Sequence, residues 1–159
     1  MGDPRKQKKK YERPFIPWDE KRIEGDAGLM RRYGLKRKEE ILKAESFLRK
    51  LRRRARNVAA GAGEKEEEEL LKKCIEKGLI GEDDEVGQIL RIELSDILER
   101  RLQTLVSKLE DVKTVEQARQ LVVHGHVKVD DKTMRSPSFL VPQELEDKIS
   151  VNESLLVSE

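Results

Sequence analysis

The chain has 159 residues with 34 Lys+Arg and 32 Asp+Glu, so 42% of its residues are charged while only 4% are aromatic. This length accommodates one or two small domains, and the shortage of aromatic residues argues against the RRM and the OB-fold, which stack bases on aromatic side chains. The composition is typical of an intracellular protein, because no apolar run could span a membrane, no secretory signal begins the chain, and one cysteine excludes an internal disulfide or a Cys-based zinc site.

The positive charge is concentrated at the start of the chain. Residues 1–60 hold 20 Lys+Arg against 9 Asp+Glu, whereas residues 61–96 hold 5 against 12 and residues 97–159 hold 9 against 11. A basic segment on a chain whose net charge is only +2 indicates a polyanionic partner, although a solvated helical surface would carry the same charges.

Residues 1–22 are predicted to form an extended basic arm. Pro4, Pro14 and Pro17 prevent a continuous helix, and the lysines and arginines between them repel one another. Such an arm becomes ordered against a negatively charged partner, or it is an ordinary disordered terminus.

Residues 23–96 are predicted to be a helical region. Between Arg37 and Ala59 apolar residues recur at intervals of three and four, which is typical of a helix with one buried face. The other faces of this helix are unusually basic, and we expect them to contact phosphate. Their candidate residues are Lys43, Arg49, Arg52, Arg53 and Arg56.

A second, acidic helix is predicted over residues 64–77, ending at Gly78. Its glutamates 66–69 form a solvated face, or one that keeps RNA away from this side of the molecule. Cys74 falls on the apolar face, so we predict an inert core cysteine rather than a nucleophile. The loop 81–87 that follows is acidic but lacks the ligand spacing of a calcium site.

Residues 97–142 differ from the helical region before them, because here two short helices are predicted to precede a small sheet. Residues 97–108 are predicted as one helix with an apolar face. Thr114 and Gln117 have the spacing of a capping box, which begins a second helix that ends at Gly125.

The sheet is predicted from short alternating segments. Residues 126–129 alternate polar and apolar, and Asp130-Asp131 supplies the turn after them. Further strands are expected around 133–135, 139–141 and 148–151. The last of these lies in a C-terminal strand and tail, 143–159. We therefore predict an α+β fold, with a helical N-terminal region and a two-helix and antiparallel-sheet module.

The basic residues of this module are expected to converge where the helix pair meets the sheet. Such a surface suits recognition of the backbone and shape of folded RNA rather than of base edges. The residues concerned are Arg100, Arg101, Lys108, Arg119, His124, His126 and Lys128.

No catalytic motif is present in the sequence. The chain has no phosphate-binding loop, no zinc-protease motif and no nucleophile elbow. His124 and His126 are the only histidines, and no carboxylate or thiol lies at ligand spacing from them. We therefore expect no enzymatic activity, no catalytic residue, no cofactor and no metal.

Four segments of the module together resemble the RNA-binding domain of the ribosomal small-subunit protein four family. They are residues 99–106, 117–122, 124–129 and 136–138. Upstream, residues 32–41, the arginine-rich helix after them and the opening Tyr11…Pro17-Trp18 are similar to the archaeal and eukaryotic branch of that family. The resemblance covers nearly the whole chain.

This resemblance implies a structural constituent of the small ribosomal subunit, on the ribosome in the cytoplasm. Such a protein is a primary binder of small-subunit rRNA that nucleates assembly of the subunit body. The resemblance also implies contact with small-subunit protein five, a role with proteins five and twelve in decoding accuracy, proximity to mRNA at its entry channel, and no membrane partner. It adds Gln117 and Gln120 to the RNA-facing residues, makes Thr114 a helix cap, and puts Ser136 and Ser138 at the sheet rim.

The chain departs from the family pattern at three points. The connection between the two helices carries Glu110 and Asp111 instead of glycine and basic residues, which should weaken phosphate contact there. The hairpin has Asp130-Asp131 instead of Asn-Gly, which leaves its turn type open. The zinc knuckle of bacterial relatives cannot form with one cysteine.

Two other functions are weighed against this one. An RNA-modifying enzyme that carries this module would need a catalytic domain, for which residues 1–96 leave no room. A free-standing RNA-binding stress factor, or a helical interaction protein, would carry similar motifs but would dissociate from small subunits in moderate salt.

Overall fold

The computed structural model describes residues 10–61, 63–109 and 112–152, and it confirms an α+β fold. Its helices are α1 (Glu20–Arg32), α2 (Lys38–Ala59), α3 (Glu64–Glu76), α4 (Val86–Ile89), α5 (Leu94–Glu99), α6 (Leu102–Ser107) and α7 (Val115–His124). Its strands are β1 (Val127–Val129), β2 (Lys132–Thr133) and β3 (Ile149–Val151). None of the described helices has the length and apolar character needed to cross a membrane.

Helix α2 is the scaffold of the N-terminal region and contacts α1, α3, α4 and α5. Its periodic pattern is confirmed, since Ile41, Leu48, Leu51 and Ala55 are buried. The first helix, α1, begins at Glu20, three residues earlier than predicted. Helix α1 therefore starts within the segment predicted to be an extended arm, soon after the last of its prolines.

Helix α3 buries an apolar face, as predicted, and packs it against α2. Leu70 and Cys74 are fully buried in the core that α2, α3 and α4 share. Burial raises the pKa of the Cys74 thiol, which keeps it protonated and agrees with a core cysteine.

The prediction of one helix over residues 97–108 is wrong. The chain breaks between α5 and α6 because Arg101 has extended backbone angles, φ −74° and ψ 142°. Its backbone instead forms an isolated antiparallel bridge with Leu140, and the Leu102 N–H donates to the Phe139 carbonyl at 2.8 Å. The strand predicted over residues 139–141 is reduced to this single bridge at Leu140.

Helix α7 begins and ends as predicted. The Thr114 hydroxyl accepts a hydrogen bond from the Gln117 N–H at 3.1 Å, and the Gln117 side chain accepts one from the Lys113 N–H at 3.0 Å. Gly125 ends the helix in the left-handed conformation, with φ +80°.

The sheet is three-stranded and antiparallel, in the order β2-β1-β3. Strand β1 buries Val127 and Val129 and exposes Lys128, which confirms the predicted alternation. The two valines belong to the same buried cluster as Leu102 and Val122, so the sheet shares a core with the α6–α7 pair. Strand β3 pairs with β1 and completes this layer.

The turn between β1 and β2 is conformationally strained. Asp130 and Asp131 both have positive φ, 51° and 63°, in a two-residue loop, the conformation for which Asn-Gly is preferred. A non-glycine residue in this region costs roughly 1 kcal/mol.

We expect Asp131→Gly to raise the free energy of unfolding by about 0.5 kcal/mol and Asp131→Ala to lower it, as measured by urea unfolding. Equal stability of the two variants would contradict the assignment.

Candidate nucleic-acid interface

Twelve of the fourteen predicted RNA-binding side chains fall into two groups, those at least partly buried against protein partners and those exposed to solvent. The first group comprises Arg52, Arg100, Arg101 and Arg119. The exposed group comprises Lys43, Arg49, Arg53, Arg56, Lys108, Gln120, His124 and Lys128, while Gln117 and His126 are half-buried. The two groups have different physical roles.

Arg101 and Arg119 converge on Glu40, in the first turn of α2. The Arg101 side chain is only 5% exposed, and its guanidinium forms an ion pair with Glu40. Arg119 binds the same carboxylate through two nitrogens, with Nη2 2.9 Å from Oε1 and Nη1 3.1 Å from Oε2. One carboxylate therefore ties α2 to both helices of the C-terminal module. We call Glu40, Arg101 and Arg119 the Glu40 clamp.

The Glu40 clamp continues into a buried amide. Gln103 is fully buried, and its Nε2 lies 3.2 Å from the Tyr33 carbonyl, 3.1 Å from the Gly34 carbonyl and 3.2 Å from the Val115 carbonyl. Its Oε1 accepts a hydrogen bond from Arg119 at 3.1 Å. Gly34 has φ +57°, and a Cβ there would lie 2.8 Å from the Gln103 amide nitrogen, so this contact requires glycine.

The Glu40 clamp contains one negatively charged and two positively charged side chains. Burial by itself raises the pKa of Glu40, but the hydrogen bonds from Arg119 and Arg101, and then their charges, outweigh it and lower the pKa from 4.5 to about 2. Glu40 is therefore ionised at neutral pH, and one carboxylate faces two guanidinium groups. Of the two arginines, Arg119 is the more accessible, with a side chain that is 23% exposed against 5% for Arg101.

Arg100 and Arg52 serve other internal contacts. Arg100 Nη1 lies 2.6 Å from Glu146 Oε2, and its other nitrogens donate to the Lys77 and Val141 carbonyls at 3.0 and 3.1 Å. Arg52 Nη2 donates to the Ile92 carbonyl at 2.6 Å. Both side chains thus connect segments that are distant in sequence.

Two grooves bring some predicted residues together with cations that the sequence did not single out. A groove of about 590 Å³ between α2, α5 and α7 contains Lys43, Arg101 and Arg119 together with Lys36 and Arg37. A second groove, of about 520 Å³, contains Arg119, Gln120 and His124 together with Lys36 and Arg31. The two grooves together form what we call the groove surface, which comprises Arg31, Lys36, Arg37, Lys43, Arg119, Gln120 and His124.

The exposed predicted cations differ in whether an acid is nearby. Lys43 lies 3.9 Å from Glu39, Lys108 lies 3.7 Å from Glu99, and Arg49 pairs with Glu12. Within the described part of the chain, no carboxylate pairs with Arg53, Arg56 or Lys128. Among the predicted RNA-binding Lys and Arg side chains, these three are therefore the most available for phosphate.

The two histidines lie side by side, with parallel rings whose centres are 6.2 Å apart. Across residues 10–61, 63–109 and 112–152, no three His, Cys, Asp or Glu side chains are grouped so that they could hold a metal ion. Glu110 and Asp111, which we expected to weaken phosphate contact, lie outside the described residues, as do residues 1–9 of the predicted arm and 153–159 of the predicted tail.

Comparison with known proteins decides the family. Residues 100–147 match the S4 domain. The chain is 42% identical over 152 residues to the small ribosomal subunit protein uS4 of Methanothermobacter thermautotrophicus, which covers 94% of this chain and 89% of the relative. The chain belongs to the uS4 family.

Two further relatives with the same name support this membership. The uS4 protein of Picrophilus torridus is 39% identical over 160 residues, covering 97% of this chain and 87% of its own. The uS4 protein of Ignicoccus hospitalis is 41% identical over 152 residues, covering 94% and 92%. These relatives are archaeal, which confirms the resemblance to the archaeal-type branch. The Glu40 clamp thus joins the S4 domain of this uS4 family member to its N-terminal helices.

Proposed function

We propose that this chain is a structural, non-catalytic component of the small ribosomal subunit in the cytoplasm and a primary binder of small-subunit rRNA. The observation that carries the proposal is membership of the uS4 family along nearly the whole chain. The exposed cations of α2, of the groove surface and of β1 provide the chemistry, because each phosphate they neutralise releases counterions.

The two groups of cations have different roles in this proposal. The Glu40 clamp and the hydrogen bond from Arg100 to the Lys77 carbonyl fix the S4 domain against the N-terminal helices, so that the basic surfaces are held at a set spacing. Exposed residues such as Arg53, Arg56 and Lys128 contact phosphate. Recognition of RNA by this arrangement depends on the shape of a folded junction rather than on base edges.

The finer parts of the proposal follow from family membership. A protein that fixes a folded rRNA junction early would nucleate assembly of the subunit body. We extend the proposal to contact with small-subunit protein five, to proximity to mRNA at its entry channel, and to decoding accuracy together with proteins five and twelve.

A competition experiment tests the proposal. Purified protein is titrated with small-subunit rRNA in the presence of excess tRNA, across a series of salt concentrations. We expect binding that survives tRNA and weakens linearly with salt on a logarithmic scale. Binding that tRNA abolishes would indicate a general basic RNA-binding factor instead, and dissociation from intact small subunits in moderate salt would indicate a transient factor.

A further inference from the structure

Three large apolar side chains are exposed within four consecutive residues of the N-terminal segment. Phe15 is 99% exposed, Trp18 is 87% exposed and Ile16 is 61% exposed. The two other large apolar residues exposed in the described chain, Leu90 and Val123, lie far apart in sequence and are 40% and 49% exposed. Clustered apolar exposure of this kind marks an interaction site.

The backbone around these aromatic residues is restricted. Pro14 and Pro17 lie on either side of Phe15 and Ile16 and fix the φ angle at their own positions. Ordering a partly restricted segment on binding costs less conformational entropy than ordering a free one. The aromatic rings are thus presented to solvent at a reduced entropic cost.

The segment just before the aromatic residues lies along the basic side of α2. Residues Lys10, Tyr11 and Glu12 form a cleft of about 170 Å³ with four residues of α2, which are Ser46, Arg49, Lys50 and Arg53. Glu12 pairs with Arg49 and is the only acidic residue that lines the cleft. Four cations surrounding one carboxylate leave a net positive site, and Glu12 of this site is three residues before Phe15 in the chain.

We propose that Phe15 and Trp18 stack on unpaired bases of a single-stranded RNA segment whose phosphates lie in this cleft. The inference rests on the proposed function, since it adds a second mode of RNA contact to it. Stacking platforms beside basic grooves bind single strands with little sequence preference, because every base has a π face.

Charge complementarity favours RNA over a protein as the occupant. An apolar protein surface would cover the rings but would leave Lys10, Lys50 and Arg53 without anionic partners. The acidic residues after Trp18, Asp19 and Glu20, lie at the N-terminus of α1, where negative charge interacts favourably with the helix dipole. Their presence is explained without a basic protein partner.

The protein provides its own probe for this site. Trp18 is the only tryptophan of the chain, so selectively excited tryptophan fluorescence reports on this segment alone. The full chain is titrated with short oligoadenylate, with oligouridylate and with a blunt RNA duplex. We expect the single strands to quench the Trp18 emission and the duplex to leave it nearly unchanged, because a duplex offers no unpaired base.

Variants separate stacking from general affinity. We expect Trp18→Ala and Phe15→Ala each to weaken binding of the single strands by roughly 10-fold, and Trp18→Phe to retain most of the affinity, measured by anisotropy of a labelled strand. Leu90→Ala removes an exposed apolar side chain elsewhere and should bind as the wild type does. Both aromatic residues are exposed, so their loss should leave the fold intact.

Three outcomes would overturn the inference. One is unchanged Trp18 emission with saturating single strand, and another is no binding of either oligonucleotide by a preparation that binds small-subunit rRNA. The third is a blue shift of the emission on addition of small-subunit proteins but not of RNA, which would make the segment a protein-docking element. In each case rRNA binding by the same preparation is measured alongside, and its loss would instead refute the proposed function.

Discussion

Replacing Glu40 by glutamine is expected to lower the free energy of unfolding by about 3 kcal/mol. The variant leaves Arg101, whose side chain is 5% exposed, and Arg119 without the carboxylate that both contact. Removal of one partner from a buried ion pair is costly because the remaining charge stays desolvated. Urea unfolding followed by circular dichroism measures the loss.

The neighbouring residue is a matched control. Glu39→Gln makes the same chemical change in the same turn of α2, but the Glu39 side chain is 47% exposed and its ion pair with Lys43 spans 3.9 Å. An exposed pair of this kind contributes roughly 0.5 kcal/mol or less. Equal losses in the Glu39 and Glu40 variants would show that the Glu40 clamp does not hold the two regions together.

The same carboxylate should give stability a dependence on pH. The pKa of Glu40 is about 2 in the folded protein against an ordinary value of 4.5, so its contribution is complete above pH 4.5 and is lost as pH falls toward 2. This difference in pKa corresponds to about 3 kcal/mol. We expect the wild type to lose this contribution over that range and Glu40→Gln to lack that part of the pH dependence, measured by urea unfolding at each pH.

The largest expected effect on RNA binding comes from the exposed arginines of α2. Arg53 and Arg56 pair with no carboxylate among the described residues, so each is free to neutralise a phosphate. We expect Arg53→Gln combined with Arg56→Gln to weaken small-subunit rRNA binding by about 10-fold or more and to reduce the slope of log affinity against log salt by about 1 to 2. Filter binding across a salt series gives both quantities.

The acidic helix offers a control with the same change in net charge. Lys65 and Lys72 are exposed on α3, among its glutamates, and Lys65→Gln combined with Lys72→Gln also removes two positive charges. We expect this variant to keep nearly the wild-type salt slope. If both double variants changed the slope equally, net charge rather than the placement of the α2 arginines would govern binding.

Features with local causes could be predicted from the sequence. The apolar stripe of α2, the Thr114 cap of α7 and the alternation in β1 each depend on residues a few positions apart. The break between α5 and α6 has no such signal, because the residues on both sides of it suit a helix. It is produced by pairing with the segment around Leu140, about forty residues further along the chain.

In the candidate site, too, contacts between residues distant in sequence could not be predicted. Sequence reasoning found Arg101 and Arg119 but assigned them a surface role, since their partner, Glu40, lies 61 and 79 residues away. Gln103 was missed for the same reason, as its partners in the α1–α2 connection are about 70 residues distant. Charge patterning reveals how many cations a segment has, whereas only the fold reveals which of them are already paired.

Photochemical crosslinking of the protein to small-subunit rRNA, with the crosslinked positions mapped by mass spectrometry, tests the central claim most directly. The account predicts crosslinks on the exposed side of α2 around Arg53 and Arg56, on the groove surface and near Lys128, with none on α3. Crosslinks concentrated on the glutamate-rich face of α3, with the α2 arginines unmodified, would contradict it.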